Sequence, residues 1–306
     1  MITRSLSEST VQNYKRTWEK IKSYLFDIGE DVSIPLNANS VALFLTHLHR
    51  SGYAFNTVKT HVSAISYVHK LDEVVDPTSS FAISALLNAI KKDSPKTLEK
   101  LHISESMLHE LLNSLNHVVF NEYDRIMYKA ILLLQYHACA RIGELVVSGK
   151  NTDNVIRLHQ VSFKHGSNNT HSEMTVDFVQ FKHSQETVSE SVTIGAQNHE
   201  YCPISCIKSY LNVRGFRPGF LFVDNVFAPV TRSEVSHILD MLLIASGFDN
   251  RRYDTHGLRK GRASQAAADG WSESQIQRLG RWKSMAFKKY LKGPVFASKN
   301  YRYLSN

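Results

Sequence analysis

Cysteine is scarce in this chain. Three occur in 306 residues (Cys139, Cys202, Cys206), too few for a disulfide framework, so a reducing compartment is expected. Long apolar runs are missing as well. Stretches such as Ala130 to Leu134 reach five residues, against the ~20 needed to span a bilayer. The opening Met1-Ile2-Thr3-Arg4 holds no apolar stretch of the signal-peptide kind. Glycine (14) and proline (7) are too few for a collagen-like or low-complexity chain, and no internal repeat stands out. An intracellular, soluble protein without a membrane segment is therefore expected. Its length suggests two domains, each large enough for its own core.

Acidic residues are short at one end only. Residues 1–97 carry 11 basic and 9 acidic side chains, and residues 98–250 carry 12 and 16. Residues 251–306 carry 13 and 3, so the whole excess of the net +8 lies there. One charge run is most simply a solvated face. An asymmetry of this size suits a polyanion better, because phosphate neutralisation supplies most non-specific nucleic-acid affinity.

Periodicity gives the organisation. Val11, Tyr14, Trp18, Ile21 and Leu25 recur at helical steps after Ser7 and before Gly29. A second helix is expected from Asn39 or Ser40 to Gly52. A third starts with Asn56 as N-cap and buries Val58, Val62, Ile65 and Val68. A fourth follows Pro77 with Phe81, Leu86, Leu87 and Ile90. A polar, proline-containing stretch comes next, and helical periods return over 104–117 and 121–138. Val176 and Phe178, then Val192 and Ile194, alternate with polar residues, which predicts a small antiparallel sheet turning near His183 to Thr187. Helices resume at Pro203. A small-residue segment over 260–269 stops at Gly270, and Ser272 with Gln275 has capping-box spacing. The expected fold is mainly α with two domains: a helical bundle over 1–92, a linker over 93–102, and an α+β domain over 103–306.

Thr255-His256-Gly257-Leu258-Arg259 places a histidine and an arginine on one helical face. Such a pair is common by chance, and His47 with Arg50 is a second one. Its companions make it specific. Arg141-Ile142-Gly143-Glu144-Leu145 precedes it, Lys182 sits at the expected hairpin, and Leu279-Gly280-Arg281-Trp282 and Tyr290 follow. The order Arg, Lys, His-x-x-Arg, Trp, Tyr resembles the tyrosine recombinase (phage-integrase) family over nearly the entire chain. Gly280 through Tyr290 looks most like the eukaryotic, transposon-related Crypton and DIRS-like branch. Tyr290 comes eight residues after Trp282, one fewer than most of the family shows, and Leu291 fills the usual slot.

The resemblance implies an integrase-type catalytic domain preceded by a SAM-like core-binding domain. It implies an enzyme that cuts and rejoins DNA at specific sites through a 3′-phosphotyrosine, with no ATP, metal or other cofactor. Tyr290 would be the nucleophile, and Lys182 the general acid for the 5′-oxygen. His256 would assist proton transfer. Arg141 and Arg259 suit the non-bridging oxygens, since guanidinium forks bind phosphate bidentately. Trp282 would pack on the site and donate its indole N–H, while Glu144 orients the basic groups. DNA contacts are expected from Lys59, Thr60, Arg262, Lys283, Lys288 and Lys289. The partner is double-stranded DNA, bound by a dimer or tetramer, in the nucleus if the source is eukaryotic and otherwise in the cytoplasm or nucleoid.

Taken singly, each residue has an ordinary role: Arg141 as a helix C-terminal cation, Lys182 as a turn lysine, Trp282 and Tyr290 as core aromatics. The joint order is what those roles leave unexplained. Competing functions are a domesticated DNA-binding protein without activity and a nicking–closing topoisomerase. Tyr301 and Tyr303 are the secondary nucleophile candidates. His199, Cys202 and Cys206 hint at zinc, but no fourth ligand is near in sequence, and Pro203 makes Cys202 an N-cap.

Overall fold

Serine and asparagine side chains cap half of the described α-helices at their starts. In the computed structural model, which describes residues 6–95, 98–149, 152–165, 171–178 and 189–290, the chain divides into two compact units, 1–97 and 98–306. The first holds α1 (Glu8–Asp27), α2 (Ala38–Arg50), α3 (Phe55–Leu71) and α4 (Phe81–Asp93). Ser7, Asn37 and Ser80 accept backbone N–H bonds at the starts of α1, α2 and α4. The sequence expectation for α3 is corrected: Ala54 is its N-cap, without a side-chain bond, and Asn56 lies inside the first turn. Phe81 is likewise not a core position, being 88% exposed beside the cap of α4. Ile21, Leu25, Phe44, Leu45, Val58, Ile65 and Ile83 fill the interior of this bundle.

The second unit begins by tying its entry segment down. Leu101 N–H donates to Arg252 O (2.7 Å), and Ile103 N–H donates to Gly257 O (2.9 Å). Helices α5 (Glu105–Asn113), α6 (Leu115–Val118), α7 (Glu122–His137) and α8 (Ile142–Leu145) follow. Strands β1 (Val161–His165), β2 (His171–Phe178) and β3 (Glu190–Gly195) form an antiparallel sheet in that order, with Met174 opposite Ile194 and Val176 opposite Val192. Met174, Val176 and Phe178 bury one face while their neighbours face outward, as a period of two requires. The expected turn at His183 to Thr187 lies outside the described residues.

Helices α9 (Pro203–Arg214), α10 (Arg232–Ala245), α11 (Thr255–Ala268) and α12 (Glu273–Leu279) complete the unit. Helix α7 is buried on nearly every side, from Met127 to His137, and packs against α9 and α11. It is the axis of the core, and its C-terminal end leads directly into the candidate site. No helix among the described residues is long and apolar enough to cross a membrane.

Candidate active site

The site starts from the two ends of buried helices. Asp254 caps α11, its side chain accepting the Gly257 N–H at 3.0 Å, which places His256 and Arg259 in the first turns. Gly257 and Gly261 let the 101–103 segment lie directly on α11. A Cβ at Gly261 would sit 1.7 Å from the Ile103 carbonyl oxygen. At the end of α7, Cys139 takes φ +48°, the left-handed region, and the chain reverses into Arg141. That turn aims the carbonyls of Ala138 and Cys139 at arginines from the far end of the unit.

Glu144 joins the two ends. It accepts the Arg141 backbone N–H (2.8 Å) and the Arg141 guanidinium (2.8 Å). The guanidinium of Arg141 is on Oε1; Oε2, which takes the Arg141 backbone N–H, also accepts Arg281 Nη2 at 2.7 Å. Burial pushes the Glu144 carboxyl up, but Arg281, Arg259 and Arg141 outweigh it and hold the pKa below its ordinary value. Arg281 is 3% exposed, sits at φ +53°, and lies with its Cζ 3.7 Å from the Phe178 ring.

Arg259 is fully buried. Nη1 donates to Cys139 O at 2.5 Å, Nη2 donates to Gly280 O, and Nε has no hydrogen-bond partner among the described residues. Its Cζ stands 4.4 Å from the Trp282 ring, a cation–π contact closed off from water. Burial pushes its pKa down to about 10, so the guanidinium stays protonated at neutral pH. Of the two arginines, only Arg141 has part of its side chain (26%) open to solvent.

His256 Nε2 and the Tyr290 hydroxyl are 2.9 Å apart, and their rings meet edge to face. Ser264 Oγ donates to Tyr290 O at 2.9 Å and pins the backbone of that residue. Burial raises the pKa of the phenol, while Arg259 and Arg141 act to lower it. For His256, burial first and then Arg259 and Lys260 push the pKa down to about 4, so the imidazole is neutral at pH 7. A neutral imidazole beside a phenol under two guanidinium groups can take the phenolic proton while the cations stabilise the oxyanion. Trp282 packs between Arg259, Phe287 and Tyr290.

The structure therefore brings Arg141, Glu144, His256, Arg259, Trp282 and Tyr290 together, and adds Arg281. That arginine directly follows Leu279-Gly280 and stands nine residues before Tyr290. A buried arginine looks like a surface charge in sequence, and only that position in the motif signals it. Lys182, Tyr301 and Tyr303 lie outside the described residues. Lys59 and Thr60 are exposed on α3 in the other unit, with Thr60 Oγ1 bonded back to Asn56 O (3.0 Å). Lys283 and Lys289 are exposed, Lys288 pairs with Glu273 at 2.9 Å, and Arg262 is half-buried with its Cζ 5.4 Å from the Trp271 ring. Cys202 is the N-cap of α9, its Sγ accepting the Gln197 N–H at 3.3 Å, and Cys206 Sγ donates to Glu200 O.

The profile of the Phage integrase family matches residues 105–291, and that of the phage integrase N-terminal SAM-like domain matches residues 1–74. The chain belongs to the phage integrase family. Among solved structures, a lambda integrase dimer bound to a COC′ core site superposes with TM-score 0.62 at 14% identity, over 95% of this chain and 73% of that one. XerH site-specific recombinase in a post-cleavage complex gives 0.65 at 13% identity, over 94% and 77%. The Tn1549 transposon integrase in complex with transposon right end DNA gives 0.61 at 12%, over 96% and 92%. At such identity these likenesses carry the fold: a SAM-like helical domain and an integrase catalytic domain with its small antiparallel sheet. No curated protein matches the sequence.

Proposed function

We propose that this phage integrase family member is a tyrosine recombinase that cuts and rejoins double-stranded DNA at specific sites. The observation that carries the reading is the 2.9 Å contact between His256 Nε2 and the Tyr290 hydroxyl, set beside Arg259 and Arg141. The Tyr290 oxygen attacks the scissile phosphorus as its proton passes to His256. The bond to the 5′-oxygen breaks, and Lys182 supplies that oxygen's proton. Arg141, whose side chain is partly open, meets the non-bridging oxygens and stabilises their extra charge, with Glu144 and Arg281 holding it in place, while the sealed Arg259 adds positive potential from behind the Trp282 ring. A 3′-phosphotyrosyl bond conserves the energy needed for rejoining.

Lys59, Thr60, Arg262, Lys283, Lys288 and Lys289 contact the DNA backbone in this reading. The solved relatives include a lambda integrase dimer on DNA and a tetramer on a Holliday junction, which supports a dimer or tetramer here. The sequence from Gly280 to Tyr290 supports a Crypton- or DIRS-like transposon origin, and with it a nuclear location.

The test uses a pool of nicked duplexes with a randomised centre, on which a cleaved strand diffuses away and the covalent complex accumulates. Wild type is expected to give an adduct on a denaturing gel that maps to Tyr290. Tyr290→Phe removes one oxygen, so the adduct disappears while DNA binding persists. Adduct in the Phe variant moves the nucleophile to Tyr301 or Tyr303. DNA binding without any wild-type adduct favours the domesticated DNA-binding protein.

A further inference from the structure

Away from the arginines, a second cluster of chemically able side chains has no part in strand cleavage. Glu105 and His109 lie four residues apart on one face of α5, and His199 approaches from the turn before α9. One ligand atom from each lies within 4.8 Å of the others. His137, the last residue of α7, closes the floor: it is 5% exposed and its Nε2 is 3.8 Å from Glu105 Oε1. That distance is beyond a hydrogen bond, and His137 Nε2 has no hydrogen-bond partner among the described residues. The Nε2 atom of His109 is buried and unpartnered too.

An orphaned His137 nitrogen facing the Glu105 carboxylate, with a second orphaned nitrogen on the neighbouring His109, is hard to explain as packing. Each unmet buried nitrogen is destabilising, because it has given up its bond to water and gained none in return. A second layer braces the group: the Tyr201 ring stacks on His109 with centroids 4.4 Å apart. His199, at the rim, accepts the Tyr201 N–H on Nδ1 at 3.2 Å, a bond that a metal on that nitrogen would displace. The cysteines near His199 are used elsewhere, as the cap of α9 and as a donor to Glu200 O.

We propose that Glu105, His109, His137 and His199 form a binding site for a divalent transition metal, with zinc the best match. Three imidazoles and one carboxylate make a borderline-soft, four-ligand set, which zinc takes as a closed tetrahedron. Ligand atoms in such a tetrahedron stand roughly 3.3 Å apart, from metal bonds of about 2.0–2.1 Å, so the Glu105, His109 and His199 atoms, now within 4.8 Å of one another, draw closer on binding and His137 swings in from beside Glu105 as the fourth ligand. With no position left for substrate, the site is a structural staple rather than a second catalytic centre. It joins α5, the end of α7 and the turn before α9. His137 is two residues from Cys139, whose carbonyl receives Arg259, and four from Arg141. The metal would fix the strip of chain that carries those groups. This departs from the sequence expectation, which weighed His199 only with Cys202 and Cys206.

The full-length protein is equilibrated with zinc sulfate, freed of excess by gel filtration, and assayed for bound metal and thermal midpoint. One zinc per chain is expected, with a higher midpoint that EDTA reverses, and cobalt in its place should show the visible bands of a tetrahedral complex. His199→Ala changes an exposed residue and leaves the core alone. It and Glu105→Gln should each weaken zinc binding at least tenfold, while Cys202→Ser with Cys206→Ser should leave it unchanged. No stoichiometric zinc in wild type, or binding untouched by His199→Ala and Glu105→Gln, overturns the proposal.

Discussion

Glu144 serves two arginines at once, one partly open to solvent and one sealed. Glu144→Gln keeps the shape and removes the charge, which leaves Arg281 buried beside a neutral amide. Breaking a buried pair in this way typically costs about 3–5 kcal/mol. Urea unfolding should show a loss of that order, and a loss below about 1 kcal/mol would mean that Arg281 finds its compensation elsewhere. The same pair marks the limit of what single residues disclose. His256, Arg259, Trp282 and Tyr290 are legible in sequence because their order repeats a chemical requirement. Arg281 is not, because nothing in an isolated arginine says that a carboxylate 137 positions earlier in the chain will hold it inside. Nor does sequence disclose that the Arg259 guanidinium ends on the carbonyls of Cys139 and Gly280 under an indole roof.

Helix α11 owes its position to two glycines facing the 101–103 segment. Gly261→Ala drives a methyl into the Ile103 carbonyl, and overpacking of this kind costs about 1–3 kcal/mol. Denaturant titration should register that loss together with a lower adduct yield, since His256 and Arg259 ride on the same helix. An unchanged midpoint would show that the segment simply steps aside. Elements whose borders carry a cap or a break are the ones sequence reveals: α1 after Ser7, α12 after Ser272, α11 ending before Gly270 at φ +82°. Strand β1 escapes notice because its alternation over Val161 to Lys164 is too short to separate from a loop. The start of α3 misleads because a good N-cap residue, Asn56, sits two positions inside a helix that begins without one.

For the molecule as a whole, acid should be a greater threat than alkali near neutrality. The pKa of His256 falls to about 4 in the folded chain, from about 6.5 when unfolded. Between those values the unfolded chain binds the extra proton, so stability rises with pH and drains away as pH falls from about 6.5 towards 4. Burial, Arg259, Lys260 and Arg141 all disfavour the imidazolium; Asp254 alone pulls the other way, and Tyr290 offers only its hydroxyl. From pH 7 to pH 5 this one group should remove roughly 2 kcal/mol. His256→Gln should flatten the slope by that amount, and an equal slope in both proteins would sink the assignment.

The bond between Glu144 and Arg281 spans 137 positions, and it also sets a schedule. A ribosome working at about 5–20 residues per second needs roughly 7–27 s to travel that interval. Through all of it, Cys139, Arg141 and Glu144 have been made while Arg281 and Tyr290 do not yet exist. A half-made chain can hold a folded helical bundle, yet neither the buried ion pair nor the contact between His256 and Tyr290 can close until the residues after α12 have been made.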